Sequence, residues 1–341
     1  MSHPIYKFFL NIILICNIII SADTDESETF FDCSPTKAQQ FRNEMISPVH
    51  PIVMLTLVLF FGIFTRVQAE YTNLADVPCG RSGIREARIV GGQDATPREF
   101  PWLVSITRKG GHFCGGAILN SRFILSAAHC LCSGTNKIPV GQLRVTLGEH
   151  NLRAPEMPAA RHESVINAVL HPSHRCGKYV DDIALLELAR PISWSESVKP
   201  ACLPVATGTP GYSTFGGMEA IVAGWGWLGE DQSRYKRADV LQKVEVRVVA
   251  NTVCSEWYAS QGKSTRMESK QMCAGWEEGG RDSCWADSGG PLMVRSHPAG
   301  PLMVIGVVST GIGCSRPRLP GIYTRVSDYV SWITQETQSG R

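Results

Sequence analysis

The chain has 341 residues with 33 basic and 31 acidic side chains, a formal net charge of +2. That balance carries no electrostatic footprint for nucleic acid or a strongly acidic partner. With 43% apolar and 19% charged residues, the composition suits a packed core and excludes wholesale disorder. The length allows one large or two ordinary domains. The twelve cysteines show no tandem Cys-x-x-Cys pairs and no Cys/His array of zinc spacing. They read as disulfides of an oxidising compartment, so the chain is expected to be exported.

Two apolar runs precede the first polar stretch. Residues 5–20 follow a Met and one Lys, and residues 52–64 are followed by Val67 and Ala69. The second run is shorter than the roughly 20 residues that span a bilayer. It has the length of a signal-peptide core, and Val67 with Ala69 forms a small-residue cleavage site. Residues 1–69 are therefore expected to be a targeting region whose signal peptide ends at Ala69. Two export signals in series are unusual. Met45 or Met54 is then the expected start, with residues 1–44 not translated; a retained membrane anchor is the alternative. Removing Cys16 and Cys33 leaves an even set of cysteines, able to pair completely.

Residues 70–88 form a short polar segment with one cysteine, ending in Arg88 before Ile89, Val90, Gly91 and Gly92. A basic residue in an exposed segment before a small apolar tetrapeptide is an accessible cleavage site, or else an ordinary linker into a strand. Beyond it the pattern changes to short apolar runs broken by Gly, Pro and Asn. Strands are expected at 102–107, 112–119, 143–147, 183–188, 220–223, 244–249, 302–308 and 321–326, the pattern of an all-β sandwich or barrel. Residues 327–336 depart from it, because Tyr329, Val330 and Ile333 share a helical face. Three polar spots stand out. His129 follows the apolar run 123–125 and precedes Cys130. Asp181 and Asp182 directly precede the apolar strand 183–188. Ser288 lies between Asp287 and Gly289. Singly, each reads as a structural histidine, a solvated turn and a polar turn.

Together these stretches resemble trypsin-like (chymotrypsin-fold) serine protease zymogens. The run Ala127, Ala128, His129, Cys130 is similar to that family's general-base motif. Asp182 before Ile183, Ala184 and Leu185 is similar to its carboxylate motif, and residues 287–291 to its nucleophile motif. The chain order His, Asp, Ser is not that of α/β-hydrolases, whose Gly-x-Ser-x-Gly elbow is also absent because Ala286 holds the first glycine position. The resemblance covers about residues 89–335, leaving 336–341 as a tail. It implies two antiparallel six-stranded β-barrels with a C-terminal helix and the catalytic cleft between the barrels. It also implies that His129 takes the Ser288 proton while Asp182 orients the ring. Ala286 and Ser288 would supply oxyanion N–H groups. Cleavage after Arg88 would free the amine of Ile89 to pair with Asp287.

The same resemblance places Asp282 at the floor of a primary pocket that takes Arg or Lys, with Gly311 and Gly321 keeping its walls open and Trp285 at its rim. It implies the disulfides Cys114–Cys130, Cys254–Cys273 and Cys284–Cys314. A Cys79–Cys202 bridge would keep the activation segment 70–88 attached, and Cys132 and Cys176 then pair. One further family bridge is missing at both of its ends, Ala220 and Val294. Leu147 to Asn151 is similar to the start of a calcium loop. Glu149, Asn151 and Glu163 are candidate oxygen donors, with solvent-facing polar residues as the other reading. No cofactor is otherwise expected. Expected partners are protein substrates, an activating trypsin-like protease and protein inhibitors.

Three departures lie near the site. Ala286 replaces a glycine, Trp285 sits where polar residues are common, and Thr310 replaces the usual tryptophan of the neighbouring subsite. Two readings follow. One is a secreted endopeptidase of narrowed specificity. The other is a protease homologue, weak or inactive, that acts as a binding module.

Overall fold

The computed structural model describes residues 71–82, 92–205, 215–297 and 299–339. The targeting region 1–69 and the Arg88–Ile89 junction lie outside the described residues. The element order is β1 (Tyr71–Thr72), β2 (Gln93–Asp94), β3 (Leu103–Arg108), β4 (Gly111–Ile118), β5 (Phe123–Ser126), β6 (Cys132–Ser133), β7 (Asn136–Lys137), β8 (Leu143–Leu147), β9 (Arg161–Leu170), β10 (Ala184–Leu188), β11 (Leu203–Pro204), β12 (Glu219–Gly224), β13 (Gln242–Val249), α1 (Asn251–Ser260), β14 (Gln271–Gly275), β15 (Pro291–Arg295), β16 (Leu302–Thr310), β17 (Gly321–Arg325) and α2 (Val330–Ser339).

The first barrel closes in the order β10-β5-β4-β3-β8-β9. Period-2 patterning explains it: Leu143, Val145 and Leu147 of β8 point inward and are fully buried, while Arg144 between them is exposed. The second barrel runs β12-β15-β16-β17-β14-β13 and closes through β12 against β13, with β2 added outside β13. Both are six-stranded and antiparallel, so closure leaves the core strands without free edges. The family fold expected from sequence is the one observed.

The barrels meet along apolar side chains. Trp102, with no exposed surface, directs its indole N–H to Met293 Sδ at 3.2 Å. The C-terminal helix starts later than its sequence pattern suggested, because Val326–Asp328 forms a 3₁₀ turn first. It covers the first barrel with Val330 and Ile333. Helix α1 was not expected. Its buried residues are Cys254 and Tyr258, while Val253 is exposed, so the apolar residues do not form one stripe. No helix among the described residues is long and apolar enough to cross a membrane.

The segment before the junction is held at the back of the barrels. Strand β1 pairs with β11, Cys79 is bonded to Cys202, and the Gly80 N–H donates to Pro200 O at 2.8 Å. The other bridges join Cys114 to Cys130, Cys132 to Cys176, Cys254 to Cys273 and Cys284 to Cys314. Ala220 and Val294 are both buried in the second barrel.

Candidate active site

His129 sits on the short 3₁₀ turn Ala128–Leu131 that ends β5, and Asp182 lies two residues before β10. Antiparallel pairing of Ala184 with Ser126 brings the two together. Asp182 is completely buried, and a buried carboxylate must be paired. Its Oδ1 accepts the His129 backbone N–H at 2.8 Å and its Oδ2 accepts the ring Nδ1–H at 2.7 Å. A carboxylate only accepts, so Nδ1 carries a proton, and in the neutral ring Nε2 is the acceptor. Two donors from the second barrel complete the holding: Ser309 Oγ gives its proton to Asp182 Oδ2 at 2.5 Å, and Thr324 Oγ1 to the Asp182 carbonyl at 2.7 Å. Nothing in the sequence singled out either residue, because the contact joins chain positions more than a hundred residues apart. The exposed Tyr179 ring stands edge-on to His129, with centroids 5.4 Å apart.

Ser288 lies in the turn between the Cys284 disulfide and β15, and its carbonyl accepts the Gly115 N–H at 2.8 Å. The turn is tied to the first barrel by this bond. Among the described residues the Ser288 hydroxyl has no hydrogen-bond partner, and such bonds often form only once substrate is bound. Ala286 has φ 73°, the left-handed region. Its carbonyl accepts His112 Nε2–H at 3.0 Å, and His112 Nδ1 meets Ser105 Oγ at 2.8 Å. Burial pushes the His112 pKa down to about 4, against the raising effect of the Ala286 carbonyl. A neutral ring therefore holds this peptide. One residue back, the Trp285 carbonyl accepts the Trp227 N–H at 2.9 Å. In a trans peptide C=O and N–H point opposite ways, so the Ala286 N–H faces away from that bond. Among the described residues the N–H groups of Ala286 and Ser288 have no partners, and both can receive a negatively charged oxygen.

A left-handed alanine is strained by roughly 1–2 kcal/mol, partly offset in a glycine by its freer unfolded chain. Ala286→Gly is expected to gain up to about 1 kcal/mol of stability in denaturant unfolding. An unchanged or lower midpoint would show that the conformation carries no strain.

Asp282 lies against the loop that carries Ser315. Its Oδ1 accepts the Ser283 N–H at 2.8 Å and its Oδ2 the Ser315 N–H at 3.2 Å. A Cβ on Gly321 would come within 2.8 Å of Oδ1, so a side chain there would close the floor. Gly311 has room around its Cα, with no neighbour nearer than 3.9 Å to an added Cβ. Desolvation raises the Asp282 pKa to about 7, against the lowering effect of the Ser315 and Ser283 N–H groups, with the charge of Asp287 raising it further. Trp285 is 43% exposed.

Asp287 lies beside the same cavity as Asp282. It accepts N–H groups from Gly226 and Cys284 at 2.8 and 2.9 Å, and burial raises its pKa to about 6. Gly224 and Gly226 were not singled out from sequence, yet a Cβ on either would fall 2.2–2.3 Å from an Asp287 oxygen. Beside this carboxylate is a cavity of about 280 Å³, lined in part by Gly92, Gly226, Lys243 and Asp282.

Two of the candidate calcium donors are engaged by other groups. Glu163 pairs with Arg161 at 2.9 Å and Arg190 at 3.3 Å, and Asn151 Oδ1 accepts the Arg153 N–H. Glu156, missed in the sequence, accepts the His150 and Asn151 N–H groups. A hard cation takes roughly six to eight oxygens, and with Glu163 and Asn151 Oδ1 engaged by arginines and a backbone N–H this set does not fit one. The clusters of metal-ligand type among the described residues consist of disulfide cysteines with His129 or His174. Burial, then the charge of Glu156, raises the Glu149 pKa from 4.5 to about 7. A carboxyl raised on folding weakens the fold as pH climbs from its unfolded pKa through its folded one. Glu149→Gln is therefore expected to raise the melting temperature at pH 8 and leave it unchanged at pH 4. Equal shifts at both would refute the assignment.

Residues 89–333 match the sequence model of the trypsin family. The chain is 39% identical over 252 residues to transmembrane protease serine 9 of Rattus norvegicus, covering 74% of this chain and 22% of that protein. It is 35% identical over 260 residues to serine proteinase stubble of Drosophila melanogaster, covering 74% and 31%. To the clotting factor G beta subunit of Tachypleus tridentatus it is 32% identical over 255 residues, covering 73% and 80%. The match thus spans less than a third of the first two relatives and most of the third. With residues 89–333 matching that family's model and two antiparallel six-stranded barrels, the chain belongs to the trypsin family of serine proteases.

Proposed function

We propose that this chain is a secreted endopeptidase that cuts after Arg or Lys and is made as a zymogen activated by cleavage after Arg88. The observation that carries the specificity is Asp282, a desolvated carboxylate whose hydrogen-bond partners are the backbone N–H groups of Ser315, Ser283 and Gly321. A buried acid without a cationic partner is costly by itself, and an Arg or Lys side chain entering the pocket would supply one.

In the proposed mechanism His129 Nε2 takes the Ser288 proton as Oγ attacks the scissile carbonyl. The developing oxyanion is received by the N–H groups of Ala286 and Ser288, and His129 then returns the proton to the leaving amine. Asp182 holds the ring through Nδ1 and stabilises the imidazolium. Activation rests on Asp287: a new amine at Ile89 is three residues from Gly92, a reach of about 10 Å, and Gly92 lines the cavity beside that carboxylate. The segment before the cut would stay attached through Cys79–Cys202. The five disulfides among the described residues favour an oxidising, extracellular setting, with membrane attachment only if the N-terminal apolar segment is retained. Protein substrates, an activating trypsin-like protease and protein inhibitors are the partners this implies.

The second reading, a binding module, draws on the left-handed Ala286 and the exposed Trp285 at the pocket rim. One experiment separates them. Protein cleaved after Arg88 is assayed on peptides with Arg, Lys or neutral residues before the cut, and in parallel labelled with an organophosphonate. Turnover restricted to Arg and Lys with labelled Ser288 supports the protease. Labelling without turnover indicates a failed oxyanion site, and neither indicates the binding module.

A further inference from the structure

The loop that supplies Ser315 to the pocket floor is strained. Ser315 and Arg318 have φ of 60° and 56°, and Gly313 between the pocket wall and Cys314 has φ 75°. Left-handed non-glycine residues persist only where their surroundings impose them. Two Arg–Glu contacts do so here, from opposite sides. Arg316 makes a bidentate contact with Glu230 on the loop after β12, with Nε to Oε2 at 2.8 Å and Nη2 to Oε1. The same Glu230 Oε2 accepts the Cys314 N–H at 3.3 Å. Arg318 donates through Nε and Nη2 to Glu277 Oε1 at 3.0 and 2.7 Å, and its backbone N–H to the Glu277 carbonyl at 2.9 Å. Between the two clasps the Ser315 carbonyl accepts the Gly280 N–H at 2.9 Å, while the Ser315 N–H reaches Asp282.

We infer that Glu230 and Glu277, through Arg316 and Arg318, are positioning residues that hold the Ser315 amide against Asp282 and so set the affinity of the primary pocket for cationic side chains. The inference rests on the reading of Asp282 as the cation-binding floor. Neither glutamate touches the substrate. The pairs are half-exposed, and such pairs add little to global stability; planar guanidinium forks nevertheless fix geometry in a way a lysine does not. The loop after β12 also carries Arg234 and Lys236, both exposed. A contact that repositions or cuts that loop would therefore act on the pocket through Glu230.

The test uses the full chain cleaved after Arg88, with benzamidine, an arylamidinium, titrated by calorimetry so that no turnover is needed. Parent protein is compared with Glu230→Gln, Arg316→Lys, Glu277→Gln, the charge swap Glu230→Arg with Arg316→Glu, and Asp282→Ser. The expected result is about tenfold weaker benzamidine binding in the three single clasp variants, partial recovery in the swap and an unshifted melting temperature. In peptide assays KM for Arg substrates is expected to rise with kcat nearly constant. In the Asp282→Ser background the clasp substitutions are expected to change nothing further. If the parent binds benzamidine, Asp282→Ser does not, and the clasp variants match the parent, the clasp inference is overturned and the pocket reading survives. If the parent does not bind benzamidine, or Asp282→Ser binds it as well as the parent, both are overturned. Loss of kcat and thermal stability together in the clasp variants would show a merely structural role and also overturn the inference.

Discussion

Ser288→Ala is expected to lower kcat on Arg peptides by about 10⁶-fold, since triad members act as a unit and removing one removes nearly all of their joint effect. His129→Ala is expected to do about the same, and the double variant to be little worse than either. The physical reason is visible in the hydrogen bonds. With Nδ1–H given to Asp182 at 2.7 Å, the neutral His129 ring keeps Nε2 as its one acceptor, the atom that takes the Ser288 proton in the proposed mechanism. Residual activity would come from the Ala286 and Ser288 N–H groups and from binding. Single-turnover and steady-state kinetics on the cleaved protein test this; a Ser288→Ala variant retaining more than about 1% of parental kcat would remove Ser288 as the nucleophile.

Asp282→Ser is expected to reduce kcat/KM for Arg and Lys peptides while leaving neutral substrates nearly unaffected. Truncating one partner of a desolvated charge pair costs about 2–5 kcal/mol, or roughly 30- to 4,000-fold. The same carboxyl makes a pH prediction. Its pKa in the free protein is raised to about 7 by desolvation, and only the ionised form attracts a cation. Benzamidine affinity should therefore rise as pH passes upward through about 7. The stability effect has the opposite sense: a carboxyl raised on folding weakens the native state increasingly from pH 3.8 to about 7. Asp282→Asn should consequently melt higher than the parent at pH 8, with no gain at pH 3. Specificity that survives Asp282→Ser would sink the pocket assignment.

The barrels were legible because period-2 burial marks strands directly, as in Leu143, Val145 and Leu147. Helix α1 was not, because its buried pair Cys254 and Tyr258 lies among apolar residues that face elsewhere. The same contrast divides the site. Ser288, His129 and Asp182 stand in short motifs that local chemistry makes conspicuous. Ser309, Thr324, His112 and Gly226 do not, since each acts through a partner far along the chain. The calcium loop shows the reverse error. Glu163 reads as an oxygen donor in sequence, but it stands two residues from Arg161 on one face of β9, and the turn after β10 brings Arg190 to it.

By itself the sequence determined the residue types that can react, their order along the chain, and the alternation that closes two barrels. Those are local properties, written within a few residues of each position. Only the tertiary structure decided which groups meet and how they are tuned. It buried Asp182 under donors from both barrels, gave Ala286 a left-handed backbone held by His112, and desolvated Asp282 beneath a strained loop clasped from two sides. Desolvation and long-range hydrogen bonding depend on what packs around a group, and that is settled only when distant segments come together.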